Sequence, residues 1–254
     1  MTLLAEHTTT TAAATLESAE VAVLPVGSTE QHGPALPLGM DHMAAEAFAH
    51  TAADRDDVVV LPTIPVGVSV HHRQFDGTLY VGAETFERFV AETISSLAEH
   101  DLRKVVVVNG HGGNSGALGR VARSLRDERI AFAPYWNWWE TVGDRSDELF
   151  DEEGGHADAA ETSLLWHVRE DLVRPDELEA AEAGASAGWG ESVHGASVGF
   201  DTIDFTESGA VGKPTDAEPE KGEQLFAAAR DELHALLDWL AARPLADCWP
   251  HDHT

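Results

Sequence analysis

Four short apolar runs punctuate the first half of the chain: "VAVLPVG" at 21–27, "DVVVLPTI" at 57–64, "KVVVVNG" at 104–110 and "RIAFAPY" at 129–135. None alternates cleanly between apolar and polar positions, which is the pattern of strands buried on both faces, as in a parallel sheet. Between and after these runs the pattern predicts helices over 41–53, 83–100, 115–126 and 156–168. Strand alternating with helix implies an α/β fold, a mostly parallel sheet covered by helices on both faces. Residues 170–220 are rich in Glu, Gly, Ser and Pro and predict loops with one short strand pair. The stretch "KGEQLFAAARDELHALLDWLAA" then reads as a long amphipathic helix, with Leu225, Phe226, Leu233, Leu236, Leu237 and Leu240 on or near one stripe. The chain divides on this reading into an N-terminal arm (1–18), one domain (19–245) and a tail (246–254) whose His251 and His253 are expected at a solvated end.

Composition narrows the partners. With 45 acidic and 16 basic residues among 254, the formal charge is -29. Nucleic acid and anionic lipid would be repelled over most of such a surface. Only Lys104, Lys213 and Lys221 are lysines, and acids crowd runs such as "RDELFDEEGG", as expected of a surface kept hydrated in concentrated salt. The single cysteine, Cys248, leaves no intrachain disulfide framework. No apolar run reaches the length of a membrane span and no secretory signal pattern opens the chain, so a cytoplasmic protein without a membrane partner is expected.

The polar groups gather where the strands end. "GSTEQHG" follows the first run, "GVSVHHRQFDG" the second, "NGHGGN" the third and "YWNWWE" the fourth. In open α/β sheets ligands bind beyond the carboxyl ends of the strands. Glu30 and His32, two apart in extended backbone, share a face. Asp41 either joins them or caps the helix expected there. His111 lies among glycines that permit close backbone approach. This mixture of carboxylate and imidazole suits Zn, Mn or Fe(II), whereas calcium asks for oxygens alone. Glu161 is a further candidate ligand, competing with Glu153 and Asp158 for the inward direction; helix propensity alone would also place a glutamate there. Three carboxylates and two imidazoles could hold two divalent ions and activate a water between them for hydrolysis. His156 could move a proton to a leaving nitrogen or, more plainly, cap or pack a helix. His42 is expected to support a ligand from behind. Tyr135, Trp136, Trp138 and Trp139 could wall a pocket for a small flat substrate or serve packing. His71, His72 and Arg73 are candidates for touching substrate or a neighbouring subunit.

Taken together, "LPVGSTEQHGPALPLGMD", "HRQFDGTL", "VVVVNGHGGN", "GGHADAAETS" and "GKPTDAEPEKG" resemble the creatininase (creatinine amidohydrolase) family, in order and over about 21–222. The resemblance implies a single-domain Rossmann-like three-layer sandwich and an amidohydrolase with two metals. Glu30, Asp41 and His111 would hold one ion, and His32, the bridging Asp41 and a further glutamate the other. Creatininase proper takes that glutamate from two positions after the histidine of "NGH", where this chain has Gly113; Glu161 looks like the replacement. The family's catalytic histidine corresponds to His156. The branches to consider are an archaeal deformylase of a formylaminopyrimidine ribotide in riboflavin and deazaflavin biosynthesis, creatininase itself, and a peptidase that trims a redox-cofactor precursor peptide. The acid-rich surface is compatible with an archaeal biosynthetic enzyme such as the deformylase but does not choose among the branches; a phosphorylated substrate could use Arg73 and the amides of "GHGGN" as an anion site, and creatinine would use the tryptophans. A non-catalytic descendant is disfavoured because every ligand position holds a competent ligand. The resemblance also implies a homo-oligomer, a hexamer being one of the rings of dimers such proteins form.

Overall fold

The structure, a computed structural model, describes residues 2–151 and 154–251. Glu153 and His253, named above, lie outside these residues. Four parallel strands, β1 (Val21–Val26), β2 (Val58–Val60), β3 (Val105–Asn109) and β4 (Tyr135–Asn137), form one sheet in the order β2-β1-β3-β4. The helices are α1 (Thr9–Ser18), α2 (Met40–His50), α3 (Ala83–Ala98), α4 (Ser115–Asp127), α5 (Trp138–Thr141), α6 (Gly143–Leu149), α7 (Ala159–Val168), α8 (Leu178–Ala183) and α9 (Pro219–Ala242). A small antiparallel hairpin, β5 (Ser192–Val193) and β6 (Ala196–Ser197), accounts for the strand pair expected in the loop-rich region.

Alternate residues of each strand enter opposite layers. Val21, Val23, Val106 and Val108 pack with Phe48 of α2, Leu164 and Leu165 of α7, and Leu225, Leu233 and Leu237 of α9. Ala22, Leu24, Val26, Val105 and Val107 pack with Phe86, Val90 and Ile94 of α3 and Leu118 and Val121 of α4. Strands buried on both faces need no polar side, which is why their sequences do not alternate. The three-layer α/β sandwich read from the sequence is the fold observed. The buried stripe of α9 is Leu225, Ala229, Leu233, Leu237 and Leu240, while Phe226 and Leu236 sit at its margin.

Two strands differ from expectation for backbone reasons. Pairing of β2 stops at Val60 in regular form because Pro62 carries no N–H, although Ile64 N still donates to Pro25 O at 3.0 Å. The fourth run forms regular strand only from Tyr135, since Arg129 adopts a left-handed φ of 56° at the turn closing α4 and Pro134 interrupts the donors. The N-terminal arm holds α1, and Val60 N donates to Thr2 O at 2.9 Å, so residues of the arm run beside β2. No helix among the described residues is long and apolar enough to cross a membrane.

From β1 the chain moves outward to β2, and from β3 it moves the opposite way to β4. The order reverses between β1 and β3, and a crevice opens beyond the carboxyl ends of those two strands. The segments leaving β1 and β3 are the ones that carry Glu30, His32 and His111.

Candidate metal centre

Asp41 arrives in the first turn of α2, whose N-cap is Gly39, so it does not cap the helix as the alternative reading had it. Close approach of α2 to the end of β3 is possible because residue 110 is glycine: a Cβ there would lie 2.0 Å from Asp41 O. The Asp41 carboxylate is thereby set between two imidazoles. Its Oδ1 lies 3.0 Å from His32 Nε2 and its Oδ2 lies 3.1 Å from His111 Nδ1. Glu30 Oε1 is 3.2 Å from the same His111 nitrogen, and Glu161 Oε2 is 3.7 Å from His32 Nε2. Glu30, His32, Asp41 and His111 are all buried.

The far nitrogen of each ring is tied to the main chain. His32 Nδ1 donates to Glu30 O at 3.1 Å, and His111 Nε2 donates to Val68 O at 3.1 Å. That fixes the inward nitrogens as the ones facing carboxylates, an arrangement that orients imidazoles toward a cation. Without the cation a proton takes its place. Burial acts to lower His32, yet Asp41, Glu161 and Glu30 together raise it to about 10. His111 is likewise raised well above the usual imidazole range, burial being outweighed by Glu30 and Asp41. Burial disfavours the charged Asp41, but His32 and His111 hold its carboxyl well below the usual range. Burial pushes Glu161 up to about 8, against the pull of His32.

The donor set passes a test for divalent cations. Both oxygens of Glu30 and Oδ2 of Asp41 are buried without a hydrogen-bond partner. Ionised carboxylates are costly to bury in that condition unless a cation pairs with them. Glu30, Asp41 and His111 form one cluster and His32, Asp41 and Glu161 a second that shares Asp41, with candidate ligand atoms in each within 4.8 Å of one another. A third grouping joins Glu30, His32 and His156. Nitrogen and carboxylate donors of this kind suit divalent ions such as Zn or Mn.

Glu161 reaches the centre from the first turn of α7. That helix begins at Ala159 rather than at 156, because Asp158 is its N-cap and accepts from Glu161 N at 2.9 Å. Ala157 N donates to Glu161 Oε2 at 2.6 Å. Gly113 could not carry the alternative glutamate: a Cβ there would meet both His111 Nε2 and Val68 O at 2.4 Å. His156 is buried although two glycines precede it, since it bridges to Val211 and its Nε2 lies 2.7 Å from Gln31 O. Burial and the neighbouring His32 keep it well below the usual imidazole range.

A cavity of about 510 Å³ opens over the centre. Glu30, Asp41, His72, His111, His156 and Glu161 line its floor, and Trp189, Phe200 and Phe205 from the loop around β5 and β6 form its outer wall. Trp189 meets the rings of His71, His72, His156 and Phe205 at centroid separations of 5.8, 6.0, 5.9 and 5.6 Å. Burial and the nearby His111 lower His71 to about 4. These aromatic residues, with Gln31 and Thr202, went unread in the sequence, where the 170–220 segment shows no period to single them out.

Other expected residues stand elsewhere. Arg73 is committed to Asp201, Nη1 to Oδ1 at 2.8 Å and Nη2 to Oδ2 at 2.6 Å, and is not in the cavity wall. Trp136 and Trp138 are core residues packed on Phe48, with ring centroids 5.5 and 6.1 Å away. Trp138 and Trp139 border a separate cavity of about 440 Å³ that shares Gly112, Gly155 and Glu161 with the first. Tyr135 is part-exposed beside Gly119. His42 faces a cavity with Glu6, Glu46 and His50 rather than supporting the centre. His251 is exposed.

Among known proteins, the creatininase (creatinine amidohydrolase) family profile matches residues 5–237. A mycofactocin precursor peptide peptidase of Mycolicibacterium smegmatis is 36% identical over 213 residues, 81% of this chain and 79% of that protein. The deformylase of 2-amino-5-formylamino-6-ribosylaminopyrimidin-4(3H)-one 5'-monophosphate from Methanobrevibacter smithii is 31% identical over 102 residues, 37% of this chain and 41% of that one. That short match gives the deformylase branch no support over the others. A solved creatininase shares the fold with a TM-score of 0.80 at 22% identity, over 96% of this chain and 99% of that one, and related creatininase structures include manganese and zinc–zinc forms. A profile that spans the domain, a matching fold and two clusters of ligands joined at Asp41 agree: this chain belongs to the creatininase family of metal-binding hydrolases that act on carbon–nitrogen bonds.

Proposed function

We propose that this chain is a metal-dependent peptidase that hydrolyses an amide bond in a precursor peptide, the substrate class that the name of its mycobacterial relative gives for that protein. The observation that carries the reading is the composition of the cavity wall. Trp189, Phe200 and Phe205 offer apolar surface, and among the described residues no Lys or Arg lines the cavity. With the carboxylates of Glu30, Asp41 and Glu161 matched by divalent ions, a ribotide monophosphate would still need a cation in the wall for its phosphate, and no Lys or Arg is there to receive it. Arg73, the cation expected to serve, is held by Asp201. A peptide with apolar side chains meets no such conflict, and exposed Phe200 and Trp189 can cover it.

Glu30, Asp41 and His111 would hold one divalent ion and His32, Asp41 and Glu161 the other. When bound, the pair supplies an activated water and polarises the scissile carbonyl. His156 lines the cavity with Nδ1 3.9 Å from Glu30 Oε1; the ring is neutral, so its bare Nδ1 would take a proton from the attacking water and pass it to the leaving amine. The aromatic wall excludes bulk water and orients the chain. The test is to load the protein with Zn, Mn or Fe(II) and offer a mycofactocin precursor peptide, creatinine and the formylaminopyrimidine ribotide side by side. Mass spectrometry should show a cleaved peptide; turnover of the ribotide or creatinine with the peptide untouched refutes the proposal.

A further inference from the structure

Gln31 sits between Glu30 and His32, yet its side chain is engaged with two other imidazoles. Its amide orientation is fixed by the main chain at both ends. Oε1 accepts from Gly33 N at 3.0 Å and Nε2 donates to Gly209 O at 3.1 Å. The flipped amide would oppose two oxygens at one end and two N–H groups at the other. The second hydrogen of Nε2 is therefore directed to His72 Nδ1, 2.8 Å away. His72 Nδ1 is an acceptor, and the ring proton of this neutral, buried histidine resides on Nε2. That Nε2 has no hydrogen-bond partner and lies 3.2 Å from Glu30 Oε1 at the cavity floor.

The main chain of the same residue orients the second ring. Gln31 O accepts from His156 Nε2 at 2.7 Å, so Nε2 carries the proton and Nδ1 is bare. The 2.9 Å approach of Gln31 Nε2 to His156 Nε2 makes no third bond, because both amide hydrogens are already used.

We infer that Gln31 is a positioning residue that sets the working faces of His72 and His156, so that His72 offers an N–H donor and His156 a bare nitrogen acceptor toward the same oxygen of Glu30. Thr202 Oγ1, on the loop that carries the aromatic wall, lies 3.0 Å from the same His72 Nδ1, and its rotatable hydroxyl accommodates the tautomer that Gln31 sets. The His72 N–H faces Glu30 Oε1 across 3.2 Å, and the bare His156 nitrogen is the one that moves the proton during amide cleavage. The catalytic consequence rests on the role proposed for His156; the tautomers do not.

The test uses the zinc-loaded protein with 15N-labelled imidazoles. In the parent, His72 and His156 should both show a protonated Nε2 and an unprotonated Nδ1. Gln31→Glu replaces the donor by an acceptor, so the His72 proton should move to Nδ1 while His156, bonded to the main chain, keeps its pattern. Gln31→Met keeps the length but removes the amide, and His72 should then show a mixture of tautomers. Both variants should retain their zinc and lose about 10–100-fold in kcat, with KM little changed, on whichever amide the parent cleaves. A parent His72 protonated at Nδ1, or a Gln31→Glu variant with the His72 pattern and kcat of the parent, overturns the inference. Failure to cleave the peptide leaves the spectra to decide by themselves, so the two proposals fail separately.

Discussion

Loading the centre with metal should expel protons in a number that depends on pH. In the metal-free protein His32 is raised to about 10 and Glu161 to about 8, and His111 stands well above its usual range. At pH 7 all three carry a proton, and each must lose it to become a ligand, so filling both sites releases about three protons. At pH 9 the Glu161 proton has already gone, so its contribution to the release, about one proton, is lost. The sign extends to stability. Glu161, raised in the fold from 4.5, contributes stability that is full below 4.5 and is lost as pH climbs through about 8. His32, raised from 6.5, contributes stability that is full below 6.5 and is lost through about 10. The metal-free protein should thus melt progressively lower from pH 5 to pH 10 on account of these groups, and metal should remove that trend. Calorimetric titration with Zn or Mn in buffers of different ionisation enthalpy counts the protons, and Glu161→Gln should release about one fewer at pH 7 and erase the difference from pH 9. Release of less than about one proton, or an equal number at both pH values in the parent, would refute this account of how the carboxylates and imidazoles share charge.

Asp158→Ala removes the N-cap of α7, whose Oδ1 and Oδ2 accept from Glu161 N and Gly155 N at 2.9 Å each. It should cost about 1–2 kcal/mol in thermal or denaturant unfolding and weaken metal binding through Glu161; unchanged metal affinity would separate the cap from the ligand. Arg73→Ala cuts the clamp to Asp201 that ties the aromatic wall to the Val70–His72 turn. The pair is part-exposed, so stability should move by less than about 1 kcal/mol while KM for the peptide rises at full metal content. A KM unaltered for peptide but raised for a phosphorylated substrate would restore Arg73 to the anion role first expected of it.

What could be read from the chain alone follows from how local each signal is. The sheet and its covering helices were legible because strands buried on both faces and a leucine stripe at helical spacing leave their marks within a few residues. Glu30, His32, Asp41 and His111 were legible because each lies just beyond a strand end or in the first turn of the next helix, and the reversal of strand order between β1 and β3 brings those ends together. The cavity wall was not, because Trp189, Phe200 and Phe205 owe their positions to a loop held by long-range bonds such as Arg73 to Asp201 and Thr202 to His72. The aromatic residues of "YWNWWE" divide because density in sequence says nothing of direction: Trp136 turns into the layer under α9, while Trp138 and Trp139 border the cavity beside Glu161.

In the ligand set proposed above, the carboxylate that the family resemblance expects two positions after His111 comes instead from Glu161. At 113 the chain runs too close to His111 Nε2 and Val68 O for any side chain, so no carboxylate can come from the loop after β3. Glu161 would supply one from the first turn of α7, where the positive end of the helix favours an anion and where Ala157 N already holds one of its oxygens. Burial works against those terms and leaves Glu161 at about 8, protonated at neutral pH until a cation displaces the proton. A ligand poised in this way makes the second site the more sensitive of the two to acid. On lowering the pH from 8 to 6, metal held by His32, Asp41 and Glu161 should leave before metal held by Glu30, Asp41 and His111, and dialysis at pH 6 followed by metal analysis should find one ion remaining. Simultaneous loss of both ions would show that Asp41 binds the pair as a single unit and that Glu161 does not set the order.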